Sequence, residues 1–464
     1  MIYPELTRRQ IVVIACIAAV GILLRIAAIH RSYWFDELAT LVHVDYGDWA
    51  SVLQVTSRDL QPPLYNSSVF IWIRLFGRSE IAVRSLSLIL GLLALATPWL
   101  ARAALTRGEK IFSFAILCVM MMPIKYAQEA RNYSLLLLLS SACLFAYYEI
   151  LTAQRRGLGP GRLQVFFYAA LTLLAFAHLF GLLLFASFLA VMFLRAGSLR
   201  ARLLIAVLGA IIVAAVMLPL LHGGAGSNAG GKFWIVFTPL SFVQQLLLVF
   251  TPAGIVLFAY ALIRRRGAGA SPFDPDLTQA LAPFALMLLG GILVSLHTPI
   301  INERNLIPLV PAFAVLTARL LQPPIQRDSA WIAAALLAIV LLQSVILLGS
   351  SRMFIREDFR AIAEHSIAAN TKVCYVVPVA HVADWHSIMA YYTVRLFGRP
   401  DLDPRTIAAD DVPQAFGECR LWGEGHLESR DSIVRPVAAL KSCSEVPLGP
   451  PAARIASVLL ACDH

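Results

Sequence analysis

The chain has 464 residues, of which 59% are hydrophobic and 14% charged, and it carries a net charge of +10. A soluble domain has roughly 25% charged residues, so this balance excludes an ordinary soluble globular protein and points to a polytopic membrane protein. The surplus of cations does not call for nucleic acid, because most Lys and Arg lie in short loops between apolar runs.

Apolar segments long enough to span a bilayer recur at 11–29, 81–104, 111–126, 132–151, 164–177, 179–195, 203–221, 241–263, 279–297, 305–322 and 330–349, about eleven in all. The first lacks a small-residue cleavage site and reads as a retained helix rather than a signal peptide. The run 163–195 is about twice the minimum for one crossing, so it is divided at His178. Arg8-Arg9, the loops 106–110, 154–162, 195–202 and 264–267, and Arg327 put the cations on one side; the other side, apart from its first long loop, holds only isolated ones such as Lys125, Lys232 and Arg304. By the positive-inside rule the basic loops are cytoplasmic. The loop 30–80 and everything after about residue 350 then face outward.

Beyond that point the pattern changes. Residues 371–380 read as a buried strand, 384–398 as an amphipathic helix, and 419–425 and 454–462 as further strands. The expected architecture is therefore a polytopic α-helical membrane module over 1–350, followed by a small extracytoplasmic α/β domain over 351–464. Of seven Cys, Cys16, Cys118 and Cys143 lie in apolar helices, and no CxxC is present. One disulfide among Cys374, Cys419, Cys443 and Cys462 is allowed if that domain faces an oxidising compartment, with free buried thiols as the alternative.

Four outward stretches carry groups capable of chemistry. The sequence RSYWFDELAT, 31–40, sets Asp36 and Glu37 among aromatics at the membrane edge, where a carboxylate serves either as a general base or as the acidic cap of an interfacial helix. LQPPLYNSSVFIWIRLFGRSE, 60–80, brings Gln61 and a proline pair before an interfacial helix. KYAQEARNYSLLLLL, 125–139, offers Glu129, Arg131 and Tyr133; its Arg can clamp a phosphate, or Glu129 and Arg131 can pair internally. TPIINERNLIPLVPAF, 298–313, carries Glu303 and Arg304 ahead of two prolines that free backbone groups; Arg304 is a phosphate ligand or a snorkelling interface cation. His178 lines a cavity or is a satisfied core histidine, and Arg25 and Arg84 are expected to pair with the acids above. The Gly-rich stretch 222–233 lacks GxxxxGK[ST] and is no P-loop; it reads as an outer loop or lid whose Lys232 touches an anionic ligand.

Taken in order and on one face, these motifs resemble the family 39 group of GT-C membrane glycosyltransferases, which includes bacterial aminoarabinose and galacturonic acid transferases and the protein O-mannosyltransferases. The resemblance covers roughly the first 320 residues, with WFDEL, QPPLY…IRLFGRSEIAVRSLSLILGLL…YAQEARNYSLLLL and ERNLIPLVP as its carriers. It implies a polyprenyl-phosphate-linked sugar as donor, and an envelope lipid such as lipid A, a glycan or a protein as acceptor. Transfer with inversion would take place at the outer face of a bacterial inner membrane. It further implies that Asp36 deprotonates the acceptor with Glu37 supporting it, that Glu129 contacts acceptor or sugar, and that Arg131 and Arg304 neutralise the lipid phosphate. The chain departs from the pattern at Gln61, where His or Lys is common, and at Asn305, where an aromatic is common. The DxD triplets at 274–276 and 401–403 read as turns, and no His-rich cluster argues for an obligatory metal, although a divalent ion is compatible with the resemblance. The rival class is a transporter or lipid flippase, which places polar groups at the midplane and often shows repeats; here the charges cluster at one edge.

Overall fold

Runs dominated by Leu, Ile, Val and Ala satisfy their backbone internally by becoming helices, and in the computed structural model they do. It describes residues 7–45, 47–58, 61–159, 161–224, 235, 237–266, 274–321, 327–350, 358–377, 382–408, 411–412, 419–424, 443–446 and 458–462. The chain divides into two units, one of Met1–Ile29, Asp48–Trp72 and Arg84–Leu347, the other of His30–Gly47, Ile73–Val83 and Leu348–His464. The outer loop 30–80 thus contributes to both.

The first unit is helical. Among the described residues, five helices are long and apolar enough to cross a membrane, or six if a bent pair counts as one span. Tyr133–Arg155 is central, with 94% of its apolar window buried. The division at His178 is real: its extended backbone (φ −165°, ψ 152°) separates helices Gly161–Ala177 and Leu179–Arg195, and its Nδ1 accepts the Phe180 N–H at 3.0 Å as the cap of the second. Two expected spans are broken instead. The run 241–263 bends by 81° between Pro239–Phe250 and Pro252–Ile263, because Thr251 precedes a proline that cannot continue the helix and takes φ 58°. The run 111–126 is interrupted at Met120, whose extended backbone (ψ 139°) parts Arg107–Val119 from Met121–Tyr126.

That second break explains Arg25. Its guanidinium, fully buried, donates to the carbonyls of Gly21 (2.7 Å), Leu117 (2.8 Å) and Cys118 (2.8 Å), the last two being helix-end acceptors with no intrahelical donor. The pairing of Arg25 with outer-face acids is therefore corrected: it ties two helices together through backbone. Arg84, also buried, donates to the Ile29 carbonyl at 3.1 Å. Gly21 is obligatory at this crossing, since a Cβ there would lie 2.3 Å from the Cys118 carbonyl oxygen.

The second unit is built on a five-stranded mixed sheet of β1 (Val373–Val377), β2 (Arg405–Ala408), β3 (Leu421–Glu424), β4 (Cys443–Glu445) and β5 (Val458–Cys462), in the order β2-β1-β3-β5-β4. β1 runs parallel to β2 and β3, while β5 is antiparallel to β3 and β4. Alternation along β1 sends Cys374 and Val376 into a core with Ile407, Trp422 and Leu460. Tyr375, on the other face, meets Phe359 of helix Phe359–Ala368 with ring centroids 6.3 Å apart. Gly423 leaves room for Tyr375, whose ring would stand 3.0 Å from a Cβ. Four cysteines form two disulfides rather than one, Cys374–Cys419 and the cross-strand Cys443–Cys462. Helix Val382–Ala390, which ends in a π-helical turn Tyr391–Leu396, packs against helix Phe35–Val44.

Candidate functional site

In the helical unit, the turn after helix Met121–Tyr126 gathers residues of two distant motifs. Tyr126 and Tyr133 pack with ring centroids 4.5 Å apart, and Ser134 Oγ donates to the Tyr126 carbonyl at 2.8 Å, which fixes the turn between them. Lys125, buried, lies 4.8 Å from the Tyr126 ring centre. Glu129 is buried, at 2% exposure, and Gln128 bridges to the turn that follows the first helix by accepting the Ala28 N–H at 2.8 Å. Arg131 stands 6.0 Å from the Tyr133 ring, and Tyr133 in turn 5.8 Å from the His178 ring. The Arg131 carbonyl accepts Ser87 Oγ (3.4 Å), itself hydrogen-bonded to the Tyr65 hydroxyl (2.8 Å).

Glu303 and Arg304 come from the irregular stretch before helix Leu309–Leu321 and lie within electrostatic range of the Tyr126 hydroxyl, as does Glu129. The stretch is held in shape by its own amides: Gln245 Oε1 accepts the Glu303 N–H (2.7 Å), Asn302 Oδ1 the Asn305 N–H (3.0 Å), and Asn305 Nδ2 donates to the Ile300 carbonyl (2.6 Å). Arg304 Nε is 3.8 Å from the Glu303 carboxylate, with both side chains about four-fifths buried. Glu129, Arg131, Tyr133, His178, Glu303 and Arg304 thus form one neighbourhood around Tyr126, in which arginines and acids share a largely buried surface. Asn305 works here as a backbone clamp, which gives a reason for an amide in place of an aromatic. Gln61 is placed at the turn before helix Leu64–Phe76, its N–H on the Thr56 carbonyl at 3.3 Å. Lys232 and most of the Gly-rich loop lie outside the described residues.

In the sheet-bearing unit, Asp36 and Glu37 occupy the first turn of helix Phe35–Val44, where the helix dipole favours negative charge. They are not equivalent. Glu37 is fully buried and its carboxylate accepts the Trp34 N–H at 3.2 Å, closing the helix start. Asp36 is half-buried, and its carbonyl accepts Thr40 Oγ1 at 3.1 Å. The approach to this helix is set by a chain of contacts that sequence reasoning missed. The Tyr33 N–H donates to the Tyr392 hydroxyl (2.7 Å), which donates to Glu80 (2.7 Å); Glu80 also pairs with Arg360. Tyr33 closes the other side by donating its hydroxyl to the Arg78 carbonyl at 3.0 Å. Burial and the neighbouring Glu80 carboxylate push the Tyr392 hydroxyl well above the usual phenol range, so it stays protonated and donates. Glu80 closes the 60–80 stretch without having been singled out there, and nothing local pointed to Tyr392, 312 positions away.

Among the described residues no group of three or more His, Cys, Asp or Glu is arranged to hold a metal ion. No family profile and no curated protein sequence matches the chain. Solved structures do. The chain is similar to ArnT from Cupriavidus metallidurans in the apo state, at 14% identity and a TM-score of 0.58, with 97% of each chain covered. It is similar to the same protein bound to undecaprenyl phosphate, at 15% identity and a TM-score of 0.54, covering 96% of this chain and 97% of that one. The apo oligosaccharyltransferase of Archaeoglobus fulgidus aligns more loosely, at 11% identity and a TM-score of 0.48 over 86% of this chain and 64% of that one. The fold is the GT-C fold of a multi-pass membrane protein, as the motifs implied.

Proposed function

We propose that the chain is an inverting glycosyltransferase that moves a sugar from a polyprenyl-phosphate donor to an envelope acceptor at the periplasmic face of a bacterial inner membrane. The observation that carries this reading is the neighbourhood of Glu129, Arg131, Glu303 and Arg304 around Tyr126, on a fold similar to a protein solved with undecaprenyl phosphate bound. In the mechanism, Asp36 removes the proton of an acceptor hydroxyl, whose oxygen attacks the anomeric carbon. The bond from that carbon to the phosphate oxygen breaks, and polyprenyl phosphate leaves with the electron pair. Arg131 and Arg304 neutralise the charge that grows on the phosphate, where fixed cations lower the barrier most. Glu129 and Tyr133 orient sugar or acceptor, Glu37 holds the helix start that presents Asp36, Gln61 contacts the substrate, and Lys232 touches an anionic ligand. The reaction needs no obligatory metal in this reading.

The topology belongs to the same proposal: about eleven crossings, with basic loops inside and the sheet-bearing region outside. Two disulfides in that region support an oxidising location. The acceptor class is an envelope lipid such as lipid A, a glycan or a protein. The test is transfer of radiolabelled sugar from synthetic polyprenyl-phosphate donors to envelope fractions by the purified protein, with the anomeric configuration of the product read by NMR. An inverted product supports the reading; a retained configuration, or donor translocation without transfer, overturns it.

A further inference from the structure

Where helix Phe35–Val44 meets the π-helical turn Tyr391–Leu396, a cavity of about 190 Å³ opens, walled by Val42, Asp45, His386, Tyr391, Arg395 and Asp403. π-Helical turns are rare and concentrate at functional places. Three polar groups at this wall are buried without an answering hydrogen bond: Asp45 Oδ2, Asp403 Oδ1 and the Tyr391 hydroxyl. Tyr391 is 1% exposed, so its hydroxyl has given up water for nothing the protein supplies. Burial pushes that hydroxyl up from the usual phenol range, which keeps its proton available for donation. Asp45 spends its other oxygen on Arg78 (2.7 and 3.0 Å) and has Arg395 Nε at 3.8 Å; Asp403 has His386 Nε2 at 3.4 Å.

These observations narrow the ligand. The two carboxylates of the wall, Asp45 and Asp403, are offset by Arg395 in the wall and by Arg78, which pairs with Asp45 from behind it, so no surplus of either sign selects an anion or a cation. The two unanswered carboxylate oxygens ask for hydrogen-bond donors and the Tyr391 hydroxyl for an acceptor, which a hydroxyl-bearing ligand supplies together. Val42, Ala390 and Val394 add apolar surface to the lining. A cavity of about 150 Å³ takes one benzene ring, so this one takes a single six-membered ring with substituents. We infer that this cavity is a carbohydrate subsite for one neutral monosaccharide unit, held by Asp45, Asp403 and Tyr391. The inference does not depend on the transfer reaction, because it concerns binding of a free sugar.

The test is saturation-transfer NMR on the full chain in nanodiscs with glucose, galactose, mannose, N-acetylglucosamine and arabinose at millimolar concentration, with ethanolamine and inorganic phosphate as ionic probes. At least one neutral sugar is expected to receive saturation. Each lost hydrogen bond in Tyr391→Phe or Asp403→Ala should weaken it about 5-fold. Ser387→Trp, at an exposed position on the rim, should block it without disturbing buried groups. Asp36→Asn should leave the signal intact, which separates this subsite from the proposed base. Saturation of no sugar, equal saturation in all three cavity variants, or displacement of the sugar by ethanolamine or phosphate overturns the inference.

Discussion

Tyr392→Phe removes one oxygen from the centre of the network that fixes the approach to Asp36. In the wild type that hydroxyl accepts the Tyr33 N–H at 2.7 Å and donates to the Glu80 carboxylate at 2.7 Å, with Tyr33 fully buried and Glu80 only 3% exposed. The variant leaves a buried backbone donor without an acceptor and a buried carboxylate with one donor fewer, while Arg360 still neutralises Glu80. An unmet buried donor costs about 1–3 kcal/mol, so the local opening free energy of the segment should fall by roughly 2 kcal/mol, or about 30-fold in amide protection. Hydrogen exchange by mass spectrometry on peptides covering 31–38 reads this directly, and peptides in Tyr133–Arg155 serve as an internal reference. Unchanged protection at 31–38 would refute the claim that Tyr392 holds this segment.

Gly21→Ala sets a Cβ against the Cys118 carbonyl oxygen and should lower the thermal midpoint in detergent, at a cost of about 1–3 kcal/mol, where Ala18→Gly controls for helix propensity. Opening the Cys374–Cys419 disulfide, which spans 45 positions, should cost about 4 kcal/mol against about 3 kcal/mol for Cys443–Cys462 over 19. The urea concentration at which residues after 348 become protease-sensitive should fall in that order, and the reverse order would contradict it. Burial raises the carboxyl of Asp358, which caps helix Phe359–Ala368 through the Ala361 N–H at 3.0 Å. The folded state therefore holds this proton to a higher pH than the unfolded one. Stability from this group is greatest below the unfolded value near 4 and declines as pH rises through the raised folded value. Wild type should gain on Asp358→Asn in midpoint as pH is lowered from 7 to 4, and a constant difference would remove Asp358 as the titrating group.

Much of this was legible because it is local. Apolar runs of fixed length give helices, the extended His178 was marked by a run twice too long for one crossing, and Val373–Val377 and Val458–Cys462 announced themselves as apolar strands. β2 and β4 did not, being short edge strands of four and three residues whose pairing comes from their neighbours. Both breaks had a local signal in a proline, Pro252 directly after Thr251 and Pro123 three residues after Met120, where the missing N–H leaves the Val119 carbonyl without its helical donor. For the candidate site, the sequence supplied the acids and arginines but not their division of labour. Only the fold separates a capping Glu37 from a half-buried Asp36, and only long-range contact joins Glu80 to Tyr392. Arg25 was misread for the same reason: its partners are main-chain carbonyls, which carry no side-chain signature.

The central claim is that Asp36 activates an acceptor hydroxyl against a polyprenyl-phosphate-linked sugar. The most direct measurement is the single-turnover rate of sugar transfer by Asp36→Asn beside wild type, with hydrogen exchange at 31–38 confirming that the helix start is intact. A positioned general base contributes about 100-fold to 10,000-fold, so transfer should fall by at least about 100-fold while donor binding is kept. Equal rates in the two proteins would contradict the account.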